Sequence, residues 1–132
     1  MEAKLDAIGF VTDDMARTLA FYRELGLDVP PGADGEPHVE LTLPGGLRVL
    51  WDTADVVRSF DPDWQPPASG HRASLAFACD GPAEVDALYG KLVGLGYEGH
   101  KEPWDAPWGQ RYAILHDPDG NGVDLFAPNP SS

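Results

Sequence analysis

The chain has 132 residues, of which 42% are hydrophobic and 23% charged, so it is long enough for one domain and too apolar for global disorder. Nine lysines and arginines against 22 aspartates and glutamates give a net charge of −13, which argues against nucleic acid or an anionic membrane as a partner. The sequence has no apolar run of membrane-spanning length, no signal-peptide pattern and a single cysteine, so we expect a cytoplasmic protein.

The first elements in chain order are a strand and a helix. Alternating residues predict the strand over residues 7–13, and Thr12 or Asp13 is expected to cap the helix, since both residue types are good N-caps. Gly26 is expected to end the helix. The apolar positions at helical spacing are Met15, Leu19, Tyr22 and Leu25.

Two short strands are predicted after this helix. Residues 38–43 alternate between polar and apolar side chains, which is the period-two pattern of a half-buried strand. The polar face of that strand consists of His38, Glu40 and Thr42. A Pro-Gly-Gly turn at 44–46 leads into a strand over residues 47–52. With one more short strand directly after the helix, residues 4–52 form a βαβββ module.

A segment rich in proline, residues 53–72, follows this module. Loops of this length in compact domains are usually linkers or functional segments, so we interpret it as a linker. Residues 54–60 within it are predicted to form a short helix.

The last part of the chain, residues 73–128, predicts the same order of elements. Its first strand is followed by a helix over residues 82–95. Two strands, 110–116 and 122–127, flank the sequence Asp-Pro-Asp-Gly-Asn at 117–121, which is a strong hairpin-loop signal. Phe10 and Tyr22 of the first part align with Phe77 and Tyr89 at one constant offset, so we predict two repeated βαβββ modules in a single domain.

Two sets of motifs in this repeated plan resemble the vicinal oxygen chelate superfamily of glyoxalases, bleomycin-resistance proteins and dioxygenases. The first set is Phe21-Tyr22-Arg23 with Leu25-Gly26-Leu27, and the second is Trp108–Arg111 with Asp117–Asn121. The resemblance covers Leu5 to Pro128. It implies an α+β fold in which two βαβββ modules form a cup-shaped mixed sheet, with the helices on the outer face.

A narrower resemblance is to the antibiotic-binding branch, and within it to mitomycin-resistance-type proteins, which sequester a drug without breaking it down. The segments that carry it are His38, Trp51–Thr53, Arg58–Pro62, Gly96–His100 and Trp108–Tyr112. The resemblance implies a homodimer whose pockets draw on both chains. It also implies a small-molecule antibiotic of quinone, anthraquinone or enediyne-like chemistry as the partner.

Enzymes of the superfamily mostly use a divalent metal held by His, Glu or Gln from the first and last strands of each module. The matching first-strand positions here are Ala7 and Ser74, while the last strands offer only Asp52 and Asp124. Alanine has no donor atom and serine is a poor ligand for these ions. We therefore expect no metal and no cofactor. Cys79 is interpreted as a core thiol, and we predict no catalytic residue.

The strand faces opposite the helices are expected to line the ligand cup, while Ile8, Phe10, Leu75 and Phe77 point to the helices. Small residues of the first strands would widen the cup, unless another side chain fills the space: Ala7, Gly9, Ser74 and Ala76. The other ligand-binding candidates are polar or aromatic: His38, Glu40, Thr42, Asp52, Trp108 and Tyr112. A wide, partly apolar pocket of this kind suits a drug-sized ligand.

Residues 103–109 are interpreted as a loop that two prolines stiffen and that carries two tryptophans. Trp108 is expected to stack on the ligand and Trp104 to serve packing, because an exposed indole buries much apolar surface when it is covered. His38 would be the second stacking surface, contributed by the other chain of the dimer. The alternative for His38 is a solvent-exposed histidine at a strand end.

These observations favour a non-catalytic binding protein that sequesters a flat quinone-like or polycyclic antibiotic and so gives self-resistance. The alternative is a metal-dependent glyoxalase, dioxygenase or thiol-transferase-type enzyme of the same fold. A third possibility is a small-molecule-binding module with another ligand.

Overall fold

The computed structural model describes residues 4–67 and 73–130 of the chain. The chain divides into two compact units, Met1–Pro66 and Pro67–Ser132. The boundary between them lies inside the segment 53–72 that we interpreted as a linker, and residues 68–72 of that segment lie outside the described residues. In the described part of the chain, no helix has the length and apolar character needed to cross a membrane.

The first unit contains three strands, two α-helices and a 3-10 helix. Its elements in chain order are β1 (Ala7–Thr12), α1 (Met15–Glu24), a 3-10 helix (Pro31–Gly35), β2 (His38–Thr42), β3 (Arg48–Thr53) and α2 (Ala54–Phe60). The strands form a sheet of order β1-β3-β2, in which β1 is parallel and β2 antiparallel to β3. The short helix predicted over residues 54–60 is confirmed.

The first unit differs from the predicted βαβββ module in one element. The short strand expected directly after α1 is replaced by the 3-10 helix. Pro30 and Pro31 lack the N–H groups that a strand needs for its ladder. Arg23 of α1 also holds this segment, because its Nε donates to the Val29 carbonyl at 2.8 Å and its Nη2 donates to Asp34 at 2.7 Å.

The cap of α1 also differs from the prediction. The N-cap is Asp14, whose carboxylate accepts from the Arg17 N–H at 3.2 Å, and not Thr12 or Asp13. Thr12 is fully buried at the end of β1, where its hydroxyl accepts from the Asp14 N–H and lies 3.0 Å from the Thr18 hydroxyl. The threonine therefore stabilises the strand-to-helix corner, and the cap falls two residues later.

An aromatic core joins α1 to its sheet. Trp51 of β3 and Tyr22 of α1 are both fully buried, and their ring centroids lie 5.5 Å apart. Phe10 of β1 contacts both rings, at 5.9 Å from Tyr22 and 6.5 Å from Trp51. The prediction that Phe10 faces the helix is therefore confirmed.

The second unit is a complete βαβββ module, as predicted. Its elements are β4 (Ser74–Ala78), α3 (Pro82–Gly94), β5 (Glu98–Ala106), β6 (Gln110–His116) and β7 (Gly122–Pro128). The strand order is β4-β7-β6-β5, with β4 parallel to β7 and the other neighbours antiparallel. The described residues form three α-helices, a 3-10 helix and seven strands in two mixed sheets, which confirms the α+β class.

One face of the second sheet packs on α3. The fully buried side chains alternate along β6 and β7 and meet the apolar stripe of the helix. They are Val85 and Leu92 of α3 and Ala113, Leu115, Val123, Leu125 and Ala127 of the strands. Cys79 follows β4 and is half-buried, so it is not the fully buried core thiol that we expected.

Candidate functional site

Each sheet has one face that packs on its own long helix and one that does not, and we call the latter the open face. On the first open face, the register places His38 opposite Asp52 and Thr42 opposite Arg48. Ala7 pairs with Arg48 and Gly9 with Leu50 on the same face. The period-two alternation thus brings the predicted site residues of this unit to one side of one sheet: Ala7, Gly9, His38, Glu40, Thr42 and Asp52.

The first open face carries an ionic network that joins its three strands. Imidazole Nδ1 of His38 hydrogen-bonds Asp52 Oδ1, and its Nε2 lies 3.0 Å from Glu40 Oε1. The other oxygen of Glu40 accepts from Arg48 Nη1 at 3.0 Å, and Arg48 Nη2 donates to Asp6 Oδ2 at 2.6 Å. The sequence prediction missed Arg48 and Asp6, because the contact between them depends on the pairing of β1 with β3.

The network favours the imidazolium form of His38. Its hydrogen bonds to Glu40 and then to Asp52 raise the pKa of His38 above the usual 6.5. The same histidine, with Arg48, lowers the pKa of Glu40 below 4.5. Because both ring nitrogens are held by carboxylates, only the ring faces of His38 remain for a ligand, and the side chain is 43% exposed. The stacking role of His38 stays a prediction.

The second open face carries an aromatic cluster, which we define as Trp104, Trp108, Tyr112 and Phe126. Three of the rings are nearly perpendicular to one another, with centroids 5.9 Å apart for Trp104 and Trp108, 5.5 Å for Trp104 and Tyr112, and 5.4 Å for Trp108 and Tyr112. Phe126 stacks on the far side of Tyr112 at 6.4 Å. T-shaped contacts at these distances are favourable for aromatic pairs.

Trp108 is the most accessible ring of this cluster. It lies in the β5–β6 turn, is 58% exposed, and donates its indole N–H to Gln110 Oε1 at 2.9 Å. The turn closes at Gly109, whose φ of +88° is a conformation that other residues rarely adopt. The side chain is therefore both exposed and held in place.

Trp104 does not lie on a loop, contrary to our expectation, but on β5. β5 is an edge strand of the sheet. An edge strand tolerates a proline such as Pro103, because only one of its sides is hydrogen-bonded to another strand. The register shifts between Lys101 and Trp104, and beyond this irregularity Trp104 pairs with Tyr112. The ammonium group of Lys101 lies 4.4 Å from the centroid of the Trp104 ring. Sequence alternation could not reveal this position because the bulge interrupts it.

A carboxylate lies beside the aromatic cluster. Asp124 of β7 accepts from the Tyr112 hydroxyl at 2.5 Å and from the Ser74 hydroxyl at 3.4 Å. Burial, followed by the bond to Asp124, raises the pKa of Tyr112 to about 12, so the phenol stays protonated and fixed. Ala76, a predicted cup residue, pairs with Asp124 and is exposed. From the sequence, Asp124 was considered only as a metal ligand. Its alternation with buried Leu125 nevertheless indicates that the Asp124 side chain lies on the open face.

Comparison with known proteins shows where this chain belongs. A sequence model of the Glyoxalase/Bleomycin resistance protein/Dioxygenase superfamily matches residues 4–125. The chain therefore belongs to this superfamily, and the predicted resemblance is confirmed at that level. Among curated proteins, no match to the chain was found.

Solved structures share the fold at low sequence identity. A glyoxalase/bleomycin resistance protein/dioxygenase from Nocardioides is 23% identical, with a TM-score of 0.76 over 100% of this chain and 87% of that one. A glyoxalase/bleomycin resistance protein/dioxygenase family enzyme from Burkholderia phytofirmans PsJN is 20% identical, with a TM-score of 0.80 over 96% and 99%. A glyoxalase-related enzyme from Fulvimarina pelagi is 18% identical, with a TM-score of 0.77 over 94% and 87%. These likenesses concern the fold alone.

The residues present do not fit the divalent-metal centre that many enzymes of the superfamily use. The Ala7 side chain has no atom that could ligate a metal, and the side-chain hydroxyl of Ser74 is hydrogen-bonded to Asp124. Within residues 4–67 and 73–130, no three His, Cys, Asp or Glu side chains are grouped to hold a metal ion. We expect the purified protein to carry no metal.

Proposed function

We propose that this chain is a non-catalytic binding protein that sequesters a flat quinone-like or polycyclic antibiotic. The observation that carries the proposal is the exposed indole of Trp108, fixed by perpendicular contacts with Trp104 and Tyr112 and by the hydrogen bond to Gln110. A planar ring that stacks on this indole gains about 0.5–1.5 kcal/mol beyond the burial of apolar area.

Preorganisation strengthens this argument. Ordering a mobile side chain at an interface costs about 0.5–1.5 kcal/mol, and a side chain that is already ordered avoids most of this loss. The hydrogen bond from Trp108 and its two ring contacts fix the indole before any ligand arrives. An exposed aromatic ring that neighbouring rings hold in place is suited to stack on a planar ligand.

The titratable groups described above favour binding over catalysis. The phenol of Tyr112 stays protonated because its pKa is about 12. Both ring nitrogens of His38 are engaged by carboxylates. Burial, followed by the charge of Glu84, raises the pKa of the Cys79 thiol, which makes it a poor nucleophile. Sequestration needs none of these groups to react.

We further propose that the protein acts as a homodimer, as the resemblance to the antibiotic-binding branch implied. Isologous two-fold dimers are the commonest assembly of soluble proteins. Sedimentation velocity at micromolar concentration should give twice the chain mass of 14.2 kDa. A monomer at that concentration would contradict a pocket shared by two chains.

The proposal is tested by titrating the wild-type protein with quinone, anthraquinone, enediyne and glycopeptide antibiotics. We expect the quinone or polycyclic compounds to quench tryptophan fluorescence saturably and to raise the melting temperature with ligand concentration, because they bind the native state. Tighter binding of a glycopeptide than of every quinone or polycyclic compound would contradict the proposed class of ligand. If no planar compound binds, sequestration is wrong.

Elemental analysis separates this proposal from a metal-dependent enzyme of the same fold. We expect no stoichiometric Zn, Ni, Mn or Fe after purification without chelators, and unchanged drug binding after dialysis against a chelator. About one metal ion per chain, together with loss of function on chelation, would favour the enzyme.

A further inference from the structure

We propose that the second open face takes a planar aromatic ligand that carries a protonated amine, with Asp124 as its counter-charge and Trp108 as its stacking surface. This inference rests on the proposed function, since it names the class of ligand that the same face would bind. The juxtaposition that carries it is a carboxylate beside aromatic rings, and among the described residues the hydrogen-bond partners of that carboxylate are two hydroxyl groups.

Asp124 lacks a cationic partner within the described residues. Its two hydrogen-bond donors are the hydroxyls of Tyr112 and Ser74, which are neutral. The carboxylate is half-buried and shares its face with Phe126, two residues further along β7. A charge in apolar surroundings is stabilised most by an opposite charge that also hydrogen-bonds to it. An ammonium group supplies both.

The aromatic cluster already binds one ammonium group, which belongs to the chain itself. Nζ of Lys101 lies over the ring of Trp104, 4.4 Å from its centroid. Cations are attracted to the negative faces of indole rings, with tryptophan the best of the aromatic side chains. The open surface of Trp108, next to Trp104, is therefore suited to a ligand in which a positive charge adjoins a planar ring.

The net charge of the whole chain also favours a cationic ligand. A net charge of −13 concentrates cations at the surface and raises their rate of association. It disfavours anionic aromatics such as sulfonated dyes. The long-range field thus selects cationic ligands, and Asp124 would give them a defined position.

Two matched anthraquinones test the inference by calorimetry at neutral pH, one with a dimethylaminoethylamino chain that is protonated and one with an uncharged butylamino chain. We expect Asp124→Asn to weaken the charged dye about tenfold or more and the uncharged dye by less than about twofold, since a charged hydrogen bond is lost. Asp63→Asn removes the same charge from a turn outside both sheets and should change neither dye by more than about twofold.

A second variant covers the case in which Asp124→Asn does not fold. Ser74 is exposed and its hydroxyl lies 3.4 Å from Asp124, so Ser74→Lys brings an ammonium group of the chain to the carboxylate. It should abolish the preference for the charged dye, measured as the ratio of the two affinities, so that any weakening common to both dyes does not enter the result.

The outcomes separate this inference from the proposed function. If Asp124→Asn and Ser74→Lys weaken both dyes alike, or neither, the role of Asp124 as counter-charge is wrong, while loss of both dyes in Trp108→Ala would still support stacking. If neither dye binds the wild-type protein, the proposed function and this inference both fail.

Discussion

The two sheets are built on one plan, yet their open faces carry opposite chemistry. The first presents the ionic network of His38, Glu40 and Arg48, in which each charge has a partner. The second presents an aromatic cluster in which Trp108 is 58% exposed, next to a carboxylate whose hydrogen-bond partners among the described residues are the hydroxyls of Tyr112 and Ser74. A saturated ionic surface gains little from a new ligand, whereas an exposed, ordered aromatic surface gains much.

In each unit, burial against α1 or α3 fixes which strand residues point to the helix. The open faces are free of that constraint and differ in chemistry, so the binding energy available to a ligand differs between them. We therefore expect variants of the second open face to affect ligand affinity most, and variants of the first to affect mainly local stability and its pH dependence.

The largest effect is expected from Trp108→Ala. Aromatic residues at binding hot spots typically contribute about 2 kcal/mol or more, so the affinity for a planar antibiotic should fall roughly 30-fold or more. The fold should persist, because Trp108 lies in an exposed turn. Calorimetric titration measures the affinity without relying on the fluorescence of the removed indole. Unchanged binding of quinone and anthraquinone drugs would show that the tryptophan is structural.

Local patterns in the sequence predicted most of the elements that make this comparison possible. The short helix over residues 54–60, the helix beginning at Pro82 and the hairpin around 117–121 all depend on caps, periodicity and turn residues that lie close together in the chain. The side of each strand that faces the helix followed from alternation, as Phe10 shows.

Several of the errors involve contacts that the pattern of a single segment does not encode. Arg23 holds the 3-10 helix that replaces a predicted strand, and its partners could be identified only from the folded chain. Trp104 was assigned to a loop because its prolines suggested one, although an edge strand tolerates proline. The bond between Tyr112 and Asp124 needs the register of β6 and β7, which no single segment encodes.

The second unit contains a long strand, β5, that has no counterpart among the described residues of the first unit. Gly99→Ala tests how this strand packs on α3. A Cβ atom at Gly99 would lie 2.2 Å from the Tyr89 hydroxyl and 3.0 Å from Val93 Cγ2. Because Gly99 is exposed and the hydroxyl is the far end of the half-buried Tyr89 side chain, the ring can turn aside, and the substitution should cost about 1 kcal/mol or less of unfolding free energy, which urea denaturation measures.

The matched control for this variant is Gly90→Ala in the middle of α3. Apart from the chain neighbours of Gly90 and the backbone of its own helix, no atom of the described residues lies within 4 Å of a Cβ built there, so the substitution should stabilise the protein by about 0.5–1 kcal/mol. Equal effects of the two alanines would show that β5 does not pack on Tyr89 as described.

A smaller effect is expected from His38→Ala. If His38 stacks on the ligand, its loss should weaken binding by about two- to tenfold, in line with the energy of one aromatic contact. His38→Phe keeps a ring and should largely preserve the affinity, although it removes both bonds to carboxylates. If His38→Phe binds as weakly as His38→Ala, hydrogen bonding is the role of this residue and the stacking interpretation is wrong.

The smallest effect is a pH dependence that separates the two open faces. Because the pKa of folded His38 is raised above 6.5, its contribution to stability is complete below that pH and is lost as the pH rises through the raised value. The lowered pKa of Glu40 acts oppositely, and its contribution is lost only as the pH falls below 4.5 through the lowered value. The ionic network should therefore stabilise most between these limits.

Urea unfolding of wild type and His38→Gln across this range measures the contribution. The difference in unfolding free energy should be largest near about pH 5–6 and should shrink toward about pH 9, and it should be modest because the pair is half exposed to solvent. Tyr112→Phe is the matched variant of the second open face. Since the pKa of Tyr112 is about 12, its difference from wild type should stay constant over the same interval. A difference for His38→Gln that is equally constant would show that the pKa of His38 is the same in the folded and the unfolded chain, and the contrast between a titrating and a non-titrating face would then be lost.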